Sequence, residues 1–142
     1  MPAKRKLHKL NLEYKPDYIL IGIASHENDY RIGWALNNDL GFNFIKTDDL
    51  VVYKAKYEIE LSFSKYFLSN DPDLNSYLIS NKSEQGFLLP KIKNIDFILK
   101  LSVENGMDFI DDILFKIKKI DVVITAFVIE NLSERDGKLF DF

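Results

Sequence analysis

Along residues 57–64 apolar and polar positions alternate strictly. Tyr57, Ile59, Leu61 and Phe63 take one face of an extended chain and Glu58, Glu60, Ser62 and Ser64 the other, which predicts a strand with one dry and one wet face. Beyond Lys65 the apolar phase slips to Tyr66 and Leu68, as a bulge would require, and Asn70-Asp71-Pro72-Asp73 supplies turn formers before Tyr77 and Ile79 return. Residues 57–80 are thus expected to form an antiparallel hairpin. Residues 18–25 are apolar on both faces and rich in isoleucine, the pattern of a strand covered on both sides, with Gly22 permitting close approach of another element.

The period changes over residues 28–40, where Ile32, Ala35, Leu36 and Leu40 fall on one helical stripe and Gly41 stands at the stop. Ser25 or Asn28 can cap this helix, and Glu27 and Asp29 suit the positive end of its dipole. Residues 42–47 alternate, Asp48-Asp49-Leu50 reads as a turn, and Val51-Val52-Tyr53 resumes the strand. Residues 81–86 form a polar loop without period. Pro90 then leads into a half-buried strand over 95–103, with Ile95, Phe97, Leu99, Leu101 and Val103 on one face, Asp96, Lys100 and Ser102 opposite, and Ile98 an apolar intruder.

Residues 106–120 are helical by the spacing of Phe109, Ile110, Ile113, Leu114 and Ile117, and their acids precede their lysines as the helix dipole favours. Residues 121–130, β-branched and apolar on both faces, are expected inside the sheet or at a subunit contact. Leu10 and Leu12 give a weak edge-strand signal near the start. The order defines an α+β fold: a mostly antiparallel sheet with two helices on one face, and ferredoxin-like β-α-β units flanking a β-hairpin. The wet face of residues 57–64 is expected on the side away from the helices. At 142 residues, 46% hydrophobic, the chain can bury one core, so a single domain spans 7–142 behind a flexible basic tail at 1–6.

Composition narrows the chemistry. The absence of cysteine excludes disulfides and thiolate metal sites and fits a reducing, cytoplasmic setting. No apolar run approaches the roughly 20 residues of a membrane helix. The net charge of −3 is mixed along the chain, so nucleic acid is a disfavoured partner, and Lys4, Arg5, Lys6 and Lys9 read as a solvated tail. His8 and His26 are too few for a metal set, the six glycines are too scattered for a phosphate loop, and no cofactor is expected. Ser25-His26-Glu27 cannot build a triad from adjacent residues. Asp108, Asp111 and Asp112 are explained by the helix dipole before any hard cation.

The stretch Leu89-Pro90-Lys91-Ile92-Lys93-Asn94-Ile95-Asp96-Phe97 resembles the signature of the bacterial IPExxxVDY family, small proteins without an established activity. Asp29-Tyr30-Arg31 at the first helix and Val123-Ile124-Thr125-Ala126-Phe127 near the end are similar to the same family. Pro90 and Asp96 match the signature, whereas Lys91 stands at the glutamate position and Phe97 at the tyrosine. The resemblance therefore implies a structural strand entry and no catalytic residue. Function is expected to lie elsewhere, on a surface of Tyr30, Arg31, Trp34 and Asn37, where an aromatic, a guanidinium and an amide share one helix. That surface fits a non-catalytic interaction or small-ligand regulatory module with an unknown protein or small-molecule partner, and the doubly apolar last strand motivates a homodimer. The alternative is a small enzyme holding an anion at the first helix's N-terminus with His26, Asp29 and Arg31.

Overall fold

The computed structural model describes residues 16–104 and 106–142; the basic tail and the strand signal at Leu10 and Leu12 lie outside them. Six strands form one sheet in the order β2 (Phe44–Lys54), β3 (Ile59–Leu68), β4 (Tyr77–Ser80), β7 (Phe97–Ser102), β1 (Tyr18–Ala24), β8 (Thr125–Val128), with every neighbouring pair antiparallel. Helix α1 (Asp29–Leu40) carries the chain from β1 over three intervening strands to β2, and α2 (Met107–Lys118) carries it from β7 over β1 to β8. The fold is α+β with a mostly antiparallel sheet.

Alternation sorts the core into two layers. On one face Ile21, Ile23, Phe97, Leu99, Leu101 and Leu78 meet Ile32, Ala35 and Leu36 of α1 and Ile110, Ile113 and Ile117 of α2. On the other face Tyr18, Leu20, Phe63, Ile79 and Ile98 are roofed by Leu88, Leu89 and Ile95 and by Phe140. Both helices thus share a face, and the opposite face is covered by loops and short elements. The doubly apolar β1 fits this sandwiching, and Gly22 is where Ile95 presses in: a Cβ there would stand 3.2 Å from the Ile95 side chain.

Six expectations are corrected. The strand β3 has no bulge; its apolar side chains change face because the cover changes. Leu61 and Phe63 point into the loop-covered layer, whereas Tyr66 and Leu68 point under α1. The wet side chains Glu60, Ser62 and Ser64 consequently lie on the helix side, beyond the end of α1, and not on the opposite face. The irregularity sits in β2, where Thr47 pairs with Lys65 and Leu50 with Phe63, so that Asp48-Asp49 bulges within one continuous strand instead of making a turn. Residues 82–87 are a small hairpin of β5 (Lys82–Ser83) and β6 (Gly86–Phe87), its turn held by Ser83 Oγ accepting from the Gln85 amide.

The strand β7 is buried on both faces, not half-buried, because segment 132–142 covers the side that carries Lys100. Finally, β8 is not interior. It is a four-residue edge strand bonded to β1 alone, its flanking Val122 and Val123 pack on the helix-side core and Ile129 on the other, and Ile124 is 60% exposed. No described helix is long and apolar enough to cross a membrane.

Candidate functional site

Helix α1 begins where β1 leaves the sheet. Asn28 Oδ1 accepts from the Arg31 amide at 2.9 Å, and Gly41, at φ 72°, closes the other end by donating to the Asn37 carbonyl. The buried stripe Ile32, Ala35 and Leu36 fixes the roll of the helix, which turns Tyr30 and Trp34 outward, 70% and 47% exposed. The Arg31 guanidinium lies 4.8 Å from the Trp34 ring centroid, a cation–π contact, and its Nε is 3.6 Å from Glu27. Three of the four expected surface residues are thus on one exposed helix flank.

Asn37 is not part of that surface. Its amide donates to the Phe44 carbonyl at 3.1 Å and accepts from the Phe44 amide at 2.7 Å, clamping the first residue of β2 beneath the helix.

Beside the N-terminus of α1 opens a polar cleft of about 900 Å³, walled by the loop 25–29, the wet side of β3 and the β5–β6 hairpin. Glu27, Asp29, Glu60, Glu84 and Asp96 line it, opposed by Lys82 and His26. The cleft is built around Asp96. One carboxylate oxygen accepts from the Ser25 amide at 2.8 Å, the other pairs with the Lys82 ammonium, and Ser25 Oγ donates to the Val122 carbonyl at 2.6 Å. The exit of β1, the hairpin and the approach to β8 are joined in this way at one part-buried node. On the inner wall the Tyr66 hydroxyl donates to Asp29 at 3.1 Å, and burial together with the Asp29 charge pushes the Tyr66 phenol up to about 12.

Of the anion-site residues, Asp29 and His26 line the cleft and Arg31 stands at its rim through Glu27. The electrostatics run against an anion: the positive end of the helix is already met by Asn28 and Asp29, and carboxylates dominate the walls. Among the described residues no group of three or more His, Asp or Glu could hold a metal ion. The β3 and hairpin contributions to the cleft escape a sequence reading because they depend on which sheet face α1 leaves uncovered. No protein-family model, curated protein or solved structure matches the chain.

Proposed function

We propose that this chain is a non-catalytic binding module, acting in the cytoplasm, that recognises a protein or small-molecule partner through Tyr30, Arg31 and Trp34 and the adjoining acidic cleft. The observation that carries the reading is the stacked Arg31–Trp34 pair on an exposed helix flank, since Trp, Tyr and Arg are the residue types that dominate binding energy at interfaces. The carboxylates a few residues away supply charge complementarity for a cationic group, such as a lysine-rich peptide segment or a polyamine. Resemblance of the Pro90–Asp96 stretch to a family without established activity accords with a structural role for that stretch. A ferredoxin-like description of the two β-α-β crossovers belongs to the same proposal.

Trp34 is the single tryptophan of the chain, so its emission reports directly on this surface. Affinity capture from native lysate with wild type, Trp34→Ala and Arg31→Ala is expected to lose the same partners with both variants, and the recovered partner should change Trp34 emission on titration. An identical captured set for all three proteins refutes the assignment. The enzymatic alternative built on His26, Asp29 and Arg31 requires an anion where the walls are acidic, and the cationic ligand is the better fit.

A further inference from the structure

The strongest unassigned feature lies on the loop-covered face. Segment 132–142 is a strap laid across β1, β7 and β4, and its polar anchors are made to the strap's backbone oxygens. The Tyr18 hydroxyl donates to the Gly137 carbonyl at 2.6 Å, and Lys100 Nζ donates to the Phe140 and Phe142 oxygens at 2.7 and 3.0 Å. Phe140 is wholly buried beside Tyr18, with ring centroids 6.3 Å apart, and the Phe142 ring meets Tyr77 edge-on at 4.9 Å. Lys65 and Lys100 both stand over the Phe142 ring, at 4.5 and 4.4 Å. The sheet thus presents a seat that reads backbone oxygens with side-chain donors and takes two aromatic side chains spaced by one residue. In this respect it is built like a peptide-recognition groove.

Two further observations bear on what fills it. Lys100 is only 4% exposed beneath the strap and Phe140 is wholly buried, so a departing strap gives up both bonds to the ammonium and uncovers the apolar seat of Phe140, a loss that refilling by an identical strap restores. The strap is joined to β8 through Asn131, a non-glycine residue at φ 58°, just after the last sheet bond from the Ile129 amide to the Leu20 carbonyl. A short hinge held in the left-handed region is the arrangement that favours exchange of a segment between copies.

We infer that the seat is a homotypic docking site: the strap of one copy pivots at Asn131 and fills the seat of a second copy, giving a reciprocal dimer. Every bond between strap and seat is kept in the exchange, and the hinge alone changes conformation, from left-handed to extended. The partner is therefore a second copy of this chain, and the recognised chemistry is its Phe-Asp-Phe end of the strap, Phe140-Asp141-Phe142.

Sedimentation velocity of the full chain at high micromolar concentration, with Asn131→Gly and Asn131→Val beside it, tests this. Valine tolerates the left-handed region poorly, so the dimerisation constant should rise by about fivefold or more for each hinge, whereas glycine should lower it below wild type. Addition of a synthetic peptide spanning residues 132–142 should convert the dimer into peptide-bound monomers. Circular dichroism establishes that each variant is folded, and the glycine variant serves should the valine variant fail that check. Monomers throughout, or a dimer indifferent to both the hinge and the peptide, would overturn the inference.

Discussion

Asn81 gives the most direct test of how the proline-led stretch is held. It is wholly buried between β4 and β5, and its side chain is fully engaged: Oδ1 accepts from the Leu89 amide at 2.8 Å, while Nδ2 donates to the Ile95 carbonyl at 2.9 Å and the Ile92 carbonyl at 3.2 Å. Its backbone closes the same loop, donating to the Asp96 carbonyl and accepting from the Leu88 amide. Replacing Asn81 by Ala orphans three groups. The Ile92 carbonyl is part-exposed and can turn to water, but the Leu89 amide and Ile95 carbonyl cannot, so the loss should be about 3–4 kcal/mol. With a urea dependence of about 2 kcal/mol per molar, the unfolding midpoint should fall by about 1.5–2 M.

A second substitution at the same position separates the hydrogen bonds from mere volume. Asn81→Asp is isosteric and keeps the acceptor for Leu89, but it sets an oxygen against two carbonyls. Burial and those carbonyls raise the folded carboxyl above its unfolded value near ~3.9, so the folded state holds the proton. The stability of that variant is then greatest below the unfolded pKa and declines as pH rises through the folded one, the reverse of ordinary acid unfolding. A midpoint shift under about 0.5 M for Asn81→Ala, or a flat pH profile for Asn81→Asp, would refute the reasoning.

Two further predictions concern other parts of the sheet. Gly22→Ala should destabilise by about 1–3 kcal/mol in chemical denaturation, because its Cβ meets the fully buried Ile95, and Ile95→Val in the same chain should recover part of the loss. The phenol of Tyr66, pushed up by burial and Asp29 to about 12, contributes stability that is complete below pH ~10 and lost as pH rises toward its folded value; after solvent screening the effect is about 1 kcal/mol and should vanish in Tyr66→Phe. Burial lowers the Lys100 pKa, so its contribution has the opposite sign: present above the unfolded value near ~10.4 and lost as pH falls through the folded one. In the Tyr66→Phe background, denaturation midpoints should therefore climb toward pH ~10.4, and adding Lys100→Met should remove the climb.

The periodic elements were legible because they answer to local alternation. The helix start and stop at Asn28 and Gly41, the double apolar face of β1 and the amphipathic stripe of α2 all follow from the chain itself. What escaped depends on who covers whom. The face change at Tyr66 looks in sequence like a bulge, and only the end of α1 over β3 distinguishes the two. Ile98, an apolar residue on a face expected to be wet, was the trace of the layer of loops and short elements that covers that face. Lys100 concealed the same fact, since a lysine reads as solvent-facing until its carbonyl partners 40 residues away are known. At the candidate surface, Tyr30, Arg31 and Trp34 were recognisable by residue type, but the part Asn37 plays is decided by Phe44 of the next strand.

The position of β1 has a consequence for how the protein is made. It lies inside the sheet, yet its partners come late: Ile21 pairs with Leu99 of β7 and Val128 of β8. At a synthesis rate of about 5–20 residues per second, β7 follows β1 from the ribosome by about 4–16 s, and β8 follows later still. Throughout that interval an isoleucine-rich strand has neither neighbour, while the β2–β3–β4 meander can already pair with itself. The strand that ends between β7 and β8 is among the first described residues to be translated and must wait for most of the sheet, which makes residues 18–24 the natural target for a holding chaperone during synthesis.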